Sequence, residues 1–120
     1  MDKKYEDSIE ATNVQDEETR IPDPAELRSR SDSNSKDMSK SIIAKFKEHG
    51  YVKIRAIGPA AIGKAFTAFT IARVHLVGSG VESICYGSFF DVKMKKAADE
   101  EENEKPREIK TGITICIEGR

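Results

Sequence analysis

The fold of this chain is decided by residues 51–73, whose sequence is YVKIRAIGPAAIGKAFTAFTIAR. Apolar and basic side chains alternate over its first six residues, and this period of two predicts a strand with one buried face and one basic face. Gly58 and Pro59 then predict a turn into a helix, because proline lacks the N–H group that would be unpaired in the first helical turn. Helical spacing places on one side of this helix Ile62, Phe66, Phe69 and Arg73, with Ala65 and Ala72 beside them. We expect the two phenylalanines to lie in the core.

The flanking sequence predicts one more helix and three more strands. A run of capping residues, SDSNS, precedes an apolar period of helical spacing that stops at Gly50, which favours a helix with a left-handed glycine at its end. Strict alternation of isoleucine with threonine and cysteine predicts the last strand. In chain order, the predicted flanking elements are a strand at 25–31, a helix between 35 and 50, a strand at 81–94 and a strand at 109–118.

The order strand-helix-strand-helix-strand-strand predicts the fold class. We expect a two-layer α/β sandwich, in which a mixed four-stranded sheet carries both helices on one face. The last two strands would form an antiparallel hairpin across residues 95–108, a charged stretch that we expect to be a solvent-exposed acidic loop. The other face of the sheet is then free to meet solvent or a partner.

The charges of the chain are distributed unevenly, although the formal net charge is only −1. Residues 1–24 contain three Lys/Arg and eight Asp/Glu, residues 25–96 thirteen and six, and residues 97–120 four and seven. The three segments therefore carry −5, +7 and −3. The first segment shows no apolar period, so we expect a disordered acidic tail over 1–24 and a folded domain over 25–120.

Cysteine usage and hydropathy indicate an intracellular protein. Cys85 and Cys116 lie in strand-like runs without a CxxC or Cys/His pattern, so we expect two buried free thiols and no metal site. The sequence shows no signal peptide, and we expect no stretch long enough to span a bilayer. We therefore expect a cytoplasmic protein that has no membrane contact, binds no cofactor and takes no small-molecule substrate.

From about Leu27 onward, the chain resembles the stage V sporulation protein S family of bacteria. The resemblance lies in the following segments: Ser33-Asn34, KEHG (47–50), IRAIGPAAIGKAFTAFTIAR (54–73), SGVESIC (79–85), Phe89-Phe90-Asp91 and ITICIEGR (113–120). It covers all of the predicted folded part. The resemblance implies an Alba-like fold, which agrees with the predicted order of elements. It also implies a small, homodimer-forming protein that binds nucleic acid, DNA or RNA, in sporulation or cell-cycle control.

Two acidic stretches distinguish this chain from that family pattern: the tail at 1–24 and the loop at 95–108. Acidic segments can repel phosphates or occupy a basic groove themselves. We therefore expect that removing residues 1–24 tightens nucleic-acid binding.

Residues 58–64 also fit a phosphate loop, because GPAAIGK has the spacing G-x-x-x-x-G-K between a strand and a helix. The next residue is Ala65, so the hydroxyl that binds magnesium in such loops is missing, and the chain is short for a nucleotide-binding fold. Binding of an anion at the start of this helix, beside Lys64, is the better prediction. Cys85 has no histidine or carboxylate placed by the sequence to activate it, and we expect no enzyme activity.

Basic residues around the strand ends and the start of the central helix form the candidate nucleic-acid site. The residues predicted to contact phosphates are Arg28, Arg30, Lys53, Arg55, Gly58, Lys64 and Arg73. Gly58 would contribute backbone N–H groups. No recognition motif or exposed aromatic platform is evident in the sequence, so we expect backbone contacts without base-specific reading. The alternative is a non-enzymatic protein-interaction or dimerisation module, whose acidic tails bind a partner.

Overall fold

The computed structural model describes residues 14–94 and 108–120, and these residues form five strands and two helices. In chain order the elements are β1 (Val14–Asp16), β2 (Glu26–Ser29), α1 (Ser35–His49), β3 (Tyr51–Ala56), α2 (Pro59–Gly78), β4 (Ser83–Lys93) and β5 (Ile109–Gly119). The described residues fall into two compact units, one made by 14–21, 90–94 and 108–111 and the other by Pro22–Phe89 with Gly112–Arg120.

The strands join in one mixed sheet with the order β1-β4-β5-β3-β2. β1 pairs with β4 and β2 pairs with β3 in parallel, whereas β3 and β5 are antiparallel. β4 and β5 are also antiparallel, because backbone hydrogen bonds join Met94 N–H to the Glu108 carbonyl (2.7 Å) and Arg120 N–H to the Glu82 carbonyl (2.9 Å). The predicted mixed α/β sandwich and its final antiparallel pair of strands are confirmed.

The sheet has five strands among the described residues, where the sequence predicted four. The additional strand is β1, which lies inside the stretch predicted to be a disordered tail. Its three residues, VQD, have no alternating apolar pattern, so only their pairing with β4 identifies them as a strand. Residues 1–13 of the predicted tail and residues 95–107 of the predicted acidic loop lie outside the described residues.

The larger unit buries its core between one face of the sheet and the two helices. Val52 and Ile54 of β3 belong to this core, so the alternation of the strand places Lys53 and Arg55 on the opposite, helix-free face. The core consists of Met38, Ile42, Phe46, Val52, Ile54, Ala65, Ala68, Phe69, Ala72, Leu76, Ile115 and Ile117, with Leu27, Ile43, Cys85 and Ile113 packed against it. Both helices therefore cover the same face, as predicted.

The helix α1 begins and ends as its sequence predicts. The Asn34 side chain accepts a hydrogen bond from the N–H of Asp37 (3.0 Å) and so caps the helix start. Gly50 ends the helix with a φ of 81°, and its N–H donates to the Phe46 carbonyl (2.8 Å). The apolar period of this helix predicts four inward side chains, of which Met38, Ile42 and Phe46 are buried and Ile43 packs against the core.

The helix α2 buries one of the two phenylalanines that were predicted to lie in the core. Phe69 is buried, but Phe66 leaves 56% of its surface exposed, and Arg73 is also exposed. The residues that α2 buries are Ala61, Ala65, Ala68, Phe69, Ala72 and Leu76. The alanines let the helix lie close to its neighbours. The prediction that Phe66 lies in the core is wrong because α2 is apolar around most of its circumference, so helical spacing does not define one buried side.

The length and composition of α2 also bear on membranes. Among the described residues, α2 is long and apolar enough to cross a bilayer, so the expectation that no stretch reaches this length is wrong. This is weak support for a membrane span, since core helices of water-soluble proteins meet the same criterion. Six residues of α2 are in fact buried within the protein itself.

Candidate nucleic-acid interface

The starts of α1 and α2 lie at the same edge of the sheet, because β2 and β3 are parallel and each is followed by a helix. Two side-chain hydrogen bonds tie this edge together. The Ser29 hydroxyl donates to the Ala61 carbonyl (2.7 Å), and the Ser35 hydroxyl donates to the Lys64 carbonyl (3.1 Å). We name this region, residues 30–36 and 58–64, the carboxyl edge.

Three exposed cations lie at the carboxyl edge: Arg30, Lys36 and Lys64. No carboxylate of the described residues is paired with any of them. Two exposed acids, Asp32 and Asp37, lie in or next to the same stretch and offset part of this charge. The two helix starts add about half a positive charge each, so the edge as a whole attracts anions.

Gly58 gives the start of α2 its shape. Its φ of 90° lies in the left-handed region, which glycine adopts without the strain that a Cβ would cause. Glycine also has no side chain with which to cap the helix, whereas Asn34 caps α1. Free N–H groups in a first helical turn are the groups with which helices bind phosphate and other anions. The predicted anion site beside Lys64 is therefore compatible with the local backbone.

Three predicted phosphate contacts, Arg28, Lys53 and Arg55, lie on the helix-free face of β2 and β3. Arg55 is only 6% exposed, which does not fit the prediction of an open side chain that contacts phosphate. Arg28 is exposed and lies opposite Arg55 in the strand register, and both residues already have an interaction partner in the protein. Period-two alternation correctly separates basic from apolar side chains, but it does not show whether the basic face is covered.

Lys53 is paired with Asp23, a residue that the sequence pattern did not single out. The Lys53 ammonium lies 3.5 Å from a carboxylate oxygen of Asp23 and 5.9 Å from the centre of the Tyr51 ring. The same carboxylate accepts hydrogen bonds from the Tyr51 hydroxyl (2.9 Å) and the Ala25 N–H (2.8 Å). An aspartate that bonds to the N–H two residues later forms an Asx turn, and this is the sequence signal that could have identified Asp23.

These contacts change the acidity of both Asp23 and Tyr51. The hydrogen bond from Ala25, followed by those from Tyr51 and the charge of Lys53, lowers the pKa of Asp23 below its ordinary value of 3.8, although partial desolvation opposes the change. The hydrogen bond to Asp23 raises the pKa of the Tyr51 phenol. The lowered pKa of Asp23 and the raised pKa of Tyr51 both favour a charged carboxylate beside a neutral phenol.

Arg73 lies away from the carboxyl edge, near the other end of α2. Nine residues separate it from Lys64, which corresponds to about 14 Å along the helix axis. Its guanidinium lies 3.6 Å from Glu82, and the same oxygen of Glu82 lies 3.6 Å from the guanidinium of Arg120. These groups border a depression of about 320 Å³, lined by Arg73, Val77, Gly80, Val81 and Glu82. The structure thus does not bring Arg73 together with the other predicted site residues.

Two aromatic rings on β4 are exposed, although the sequence showed no evident aromatic platform. Phe89 is 81% exposed, and about half of the surface of Tyr86 is open to solvent. The Tyr86 hydroxyl donates to the Glu118 carboxylate (3.0 Å), and this bond, with the nearby Cys116 thiol, raises the pKa of Tyr86 to about 12. Their exposure was missed because strand tyrosines and phenylalanines are more often packed against neighbours.

The cysteines and the potential metal ligands give less support for a functional site than the basic residues do. Cys85 is half-buried, Cys116 is buried, and both are free thiols. Burial raises the pKa of Cys85, which disfavours the nucleophilic thiolate. Within 14–94 and 108–120, no three His, Cys, Asp or Glu side chains are grouped as metal ligands would be. Anion binding at the carboxyl edge is therefore the chemistry that the described residues support best.

The family model of stage V sporulation protein S matches residues 25–118. This chain belongs to that family. The match contains both helices, strands β2 to β4 and nearly all of β5, so the whole carboxyl edge lies within it. Asp23 lies two residues before the match begins. The resemblance noted in the sequence is confirmed, and the protein is sporulation-related by family.

Proposed function

We propose that this protein binds nucleic acid, DNA or RNA, through backbone phosphates at the carboxyl edge. The observation that carries this function is the convergence of two helix starts with Arg30 and Lys64, held in place by the hydrogen bonds of Ser29 and Ser35. Basic side chains neutralise phosphates, and N–H groups at helix starts donate to phosphate oxygens. In this function the protein is a non-enzymatic regulator that acts in the cytoplasm.

The seven residues predicted from the sequence would contribute unequally to this interface. Arg30, Gly58 and Lys64 form its centre, and the exposed Lys36 adds a cation that the prediction left out. The remaining positions are peripheral or engaged elsewhere, and they are Arg28, Lys53, Arg55 and Arg73. We therefore expect the affinity to depend mainly on the carboxyl edge.

Binding of this kind depends steeply on salt and only weakly on base sequence. Each phosphate that the protein neutralises makes the logarithm of the binding constant fall by about 0.9 per decade of salt for duplex DNA and by about 0.7 for a single strand. The formal net charge of −1 gives no strong long-range attraction. The local charge of the edge must therefore supply the affinity.

Titration of the full chain against fluorescent duplex DNA and single-stranded RNA over a range of salt tests this function. Arg30→Gln combined with Lys64→Gln should reduce the duplex salt slope by about 1.8, the value for two lost phosphate contacts. Arg73→Gln with Lys47→Gln is the matched control, since it removes one arginine and one lysine charge from exposed positions outside the edge. Equal losses in the two double variants would contradict the assignment of the edge.

A second function, homodimerisation or another protein interaction, is favoured by the outer side of α2. Phe66, Val74 and Val77 are large apolar residues that α2 leaves exposed. A helix with apolar residues on all sides usually has a packing partner on each of them. A second copy of the chain would cover this side and remove it from water.

Sedimentation equilibrium over a wide protein concentration range tests the second function. A wild-type dimer that becomes a monomer in Phe66→Ser with Val74→Ser would support it. Ala44→Ser, at an exposed position of α1, serves as the control and should leave the association unchanged. A wild type that stays monomeric at every concentration would rule out the homodimer.

A further inference from the structure

Asp23 occupies an anion site whose donors all come from the part of the chain that the family model matches. The donors are the Ala25 N–H, the Tyr51 hydroxyl and the Lys53 ammonium, at 2.8, 2.9 and 3.5 Å from the carboxylate oxygens. Asp23 itself precedes the matched residues, which begin at 25. The family domain therefore supplies the site, and the segment in front of it supplies the anion.

The donors of this site are held by contacts that do not involve the Asp23 side chain. The Lys53 N–H donates to the Ala25 carbonyl (3.0 Å), which joins the start of β2 to β3. Ala25 is fully buried, and the Lys45 ammonium donates to the Pro24 carbonyl (3.0 Å). These contacts do not depend on the carboxylate, so they hold the Ala25 N–H beside the strand that carries Tyr51 and Lys53 when the Asp23 side chain is removed.

An external anion can compete with Asp23 for these donors. The side chain of Lys53 is 44% exposed and that of Asp23 is 24% exposed, so the ion pair is partly solvated and weak. Phosphate oxygens accept hydrogen bonds from ammonium, hydroxyl and backbone N–H groups as carboxylate oxygens do. Lys53 also lies over the Tyr51 ring, a contact that helps to hold the ammonium in place without Asp23.

We infer that Asp23 is an internal competitor, which fills this anion site and keeps the backbone phosphate of a bound nucleic acid out of it. This inference rests on the proposed function and extends its interface. Lys53 lies three residues before the end of β3, about 10 Å from the carboxyl edge along the strand. A nucleic-acid backbone that contacts Lys64 can therefore also reach this site once the Asp23 carboxylate is removed.

Asp23→Ala in the full chain, titrated with fluorescent duplex DNA over a range of salt, is the direct test. Removal of the carboxylate opens all three donors, so binding should tighten and the salt slope should steepen by about 0.9, the value for one added phosphate contact. Asp23→Asn keeps an oxygen for the Ala25 N–H while removing the charge that opposes Lys53. It should give the same direction of change with less risk to the fold.

Two control variants separate the site from a general charge effect. Glu48→Gln also removes one exposed carboxylate, at the end of α1, and should leave the salt slope unchanged. Lys53→Gln added to Asp23→Ala should return the slope to the wild-type value, since the added contact is then lost. An Asp23 variant with wild-type affinity and slope, in a protein that does bind DNA, overturns the inference and leaves the proposed function standing.

Inorganic phosphate provides a measurement that does not depend on nucleic-acid binding. In Asp23→Ala, phosphate should shift the NMR amide signal of Ala25 in a saturable manner, and in the wild type the same titration should have a much smaller effect. This outcome, with no DNA or RNA bound by either protein, would keep the anion site and reject the proposed function. An Ala25 signal that phosphate leaves unchanged in both proteins, with no gain in DNA binding, overturns the inference.

Discussion

The cations of the carboxyl edge and those of β3 differ in what lies beside them. Arg30 and Lys64 are exposed, with no paired carboxylate among the described residues. Lys53 is neutralised by Asp23, and Arg55 is almost completely covered. In the sequence these four residues look equivalent, since each is a basic residue near a strand end or a helix start.

From this difference we expect accessible charge, more than the number of charges, to decide where a phosphate can bind. A cation that already has a carboxylate partner must lose that partner before it gains a phosphate, so its net contribution to affinity is small. A guanidinium that the protein covers, as in Arg55, is not open to an external phosphate.

The largest effect is expected on stability, at Arg55. Arg55→Glu places a carboxylate where a covered guanidinium has its partners, and it should lower the free energy of unfolding by about 3 kcal/mol. Arg30→Glu changes an exposed position and should stay within about 0.5 kcal/mol of the wild type. Urea denaturation of both variants measures the difference. Equal stability of the two variants would show that Arg55 is as open as Arg30.

Truncation of the acidic segment is expected to have the next largest effect, on affinity. Residues 1–13 carry two Lys and four Asp/Glu, and residues 14–24 carry one Arg and four Asp/Glu, including Asp23. Removal of 1–24 therefore takes away a net charge of −5 and should tighten DNA binding by about tenfold at low salt. Removal of 1–13 alone leaves Asp23 in place and should give a smaller gain. Equal or weaker binding by the 25–120 chain would mean that the acidic segment does not compete with nucleic acid for the basic residues.

A smaller effect distinguishes two single lysines. Lys64→Gln should reduce the duplex salt slope by about 0.9, because it removes one open phosphate contact. Lys53→Gln should change the slope less, since Asp23 already neutralises this lysine in the free protein and competes with phosphate. Titration of both variants with the same labelled duplex provides the comparison. Equal slopes in the two variants would mean that Asp23 does not hinder Lys53.

The sequence was sufficient to predict most of the fold of the larger unit. Local signals predicted several elements that the structure confirms. Alternation predicted the strands β3 and β5, and the capping residues and Gly50 predicted the start and the end of α1. β1 was missed because its three residues, of which only Val14 is apolar, carry no period, and its strand state depends on pairing with a distant part of the chain. Phe66 was misassigned to the core because Phe66 and Phe69 are equally apolar, and only packing distinguishes them.

The candidate site could be predicted only in part, for a related reason. Residue type and position relative to a helix start are local properties, so Arg30, Gly58 and Lys64 could be identified from the sequence. Pairing is a property of the fold, so the sequence could not show that Lys53 meets Asp23, thirty residues earlier, or that Arg73 meets Glu82. The covered state of Arg55 on a strand with clear alternation is likewise set by tertiary structure.

The smallest expected effect is a pH dependence of stability that originates at Asp23. Its pKa in the folded protein is below the ordinary value of 3.8, so the folded state favours the charged carboxylate. The resulting stabilisation is fully present above pH 3.8 and is lost as the pH falls through the lower folded-state pKa, because the carboxylate must then be protonated. The wild type should therefore lose more stability on acidification than Asp23→Asn, which has no charge to lose.

Urea unfolding of the wild type and of Asp23→Asn at a series of pH values measures this effect. The stability difference between the two proteins should be constant at neutral pH and shrink only below pH 3.8. Tyr51→Phe removes one donor to the same carboxylate, so it should move the midpoint of the loss toward 3.8. A difference that stays constant to well below pH 3.8 would mean that Asp23 gains no stabilisation from its three donors. Its role as an occupant of the Lys53 site would then lose its physical basis.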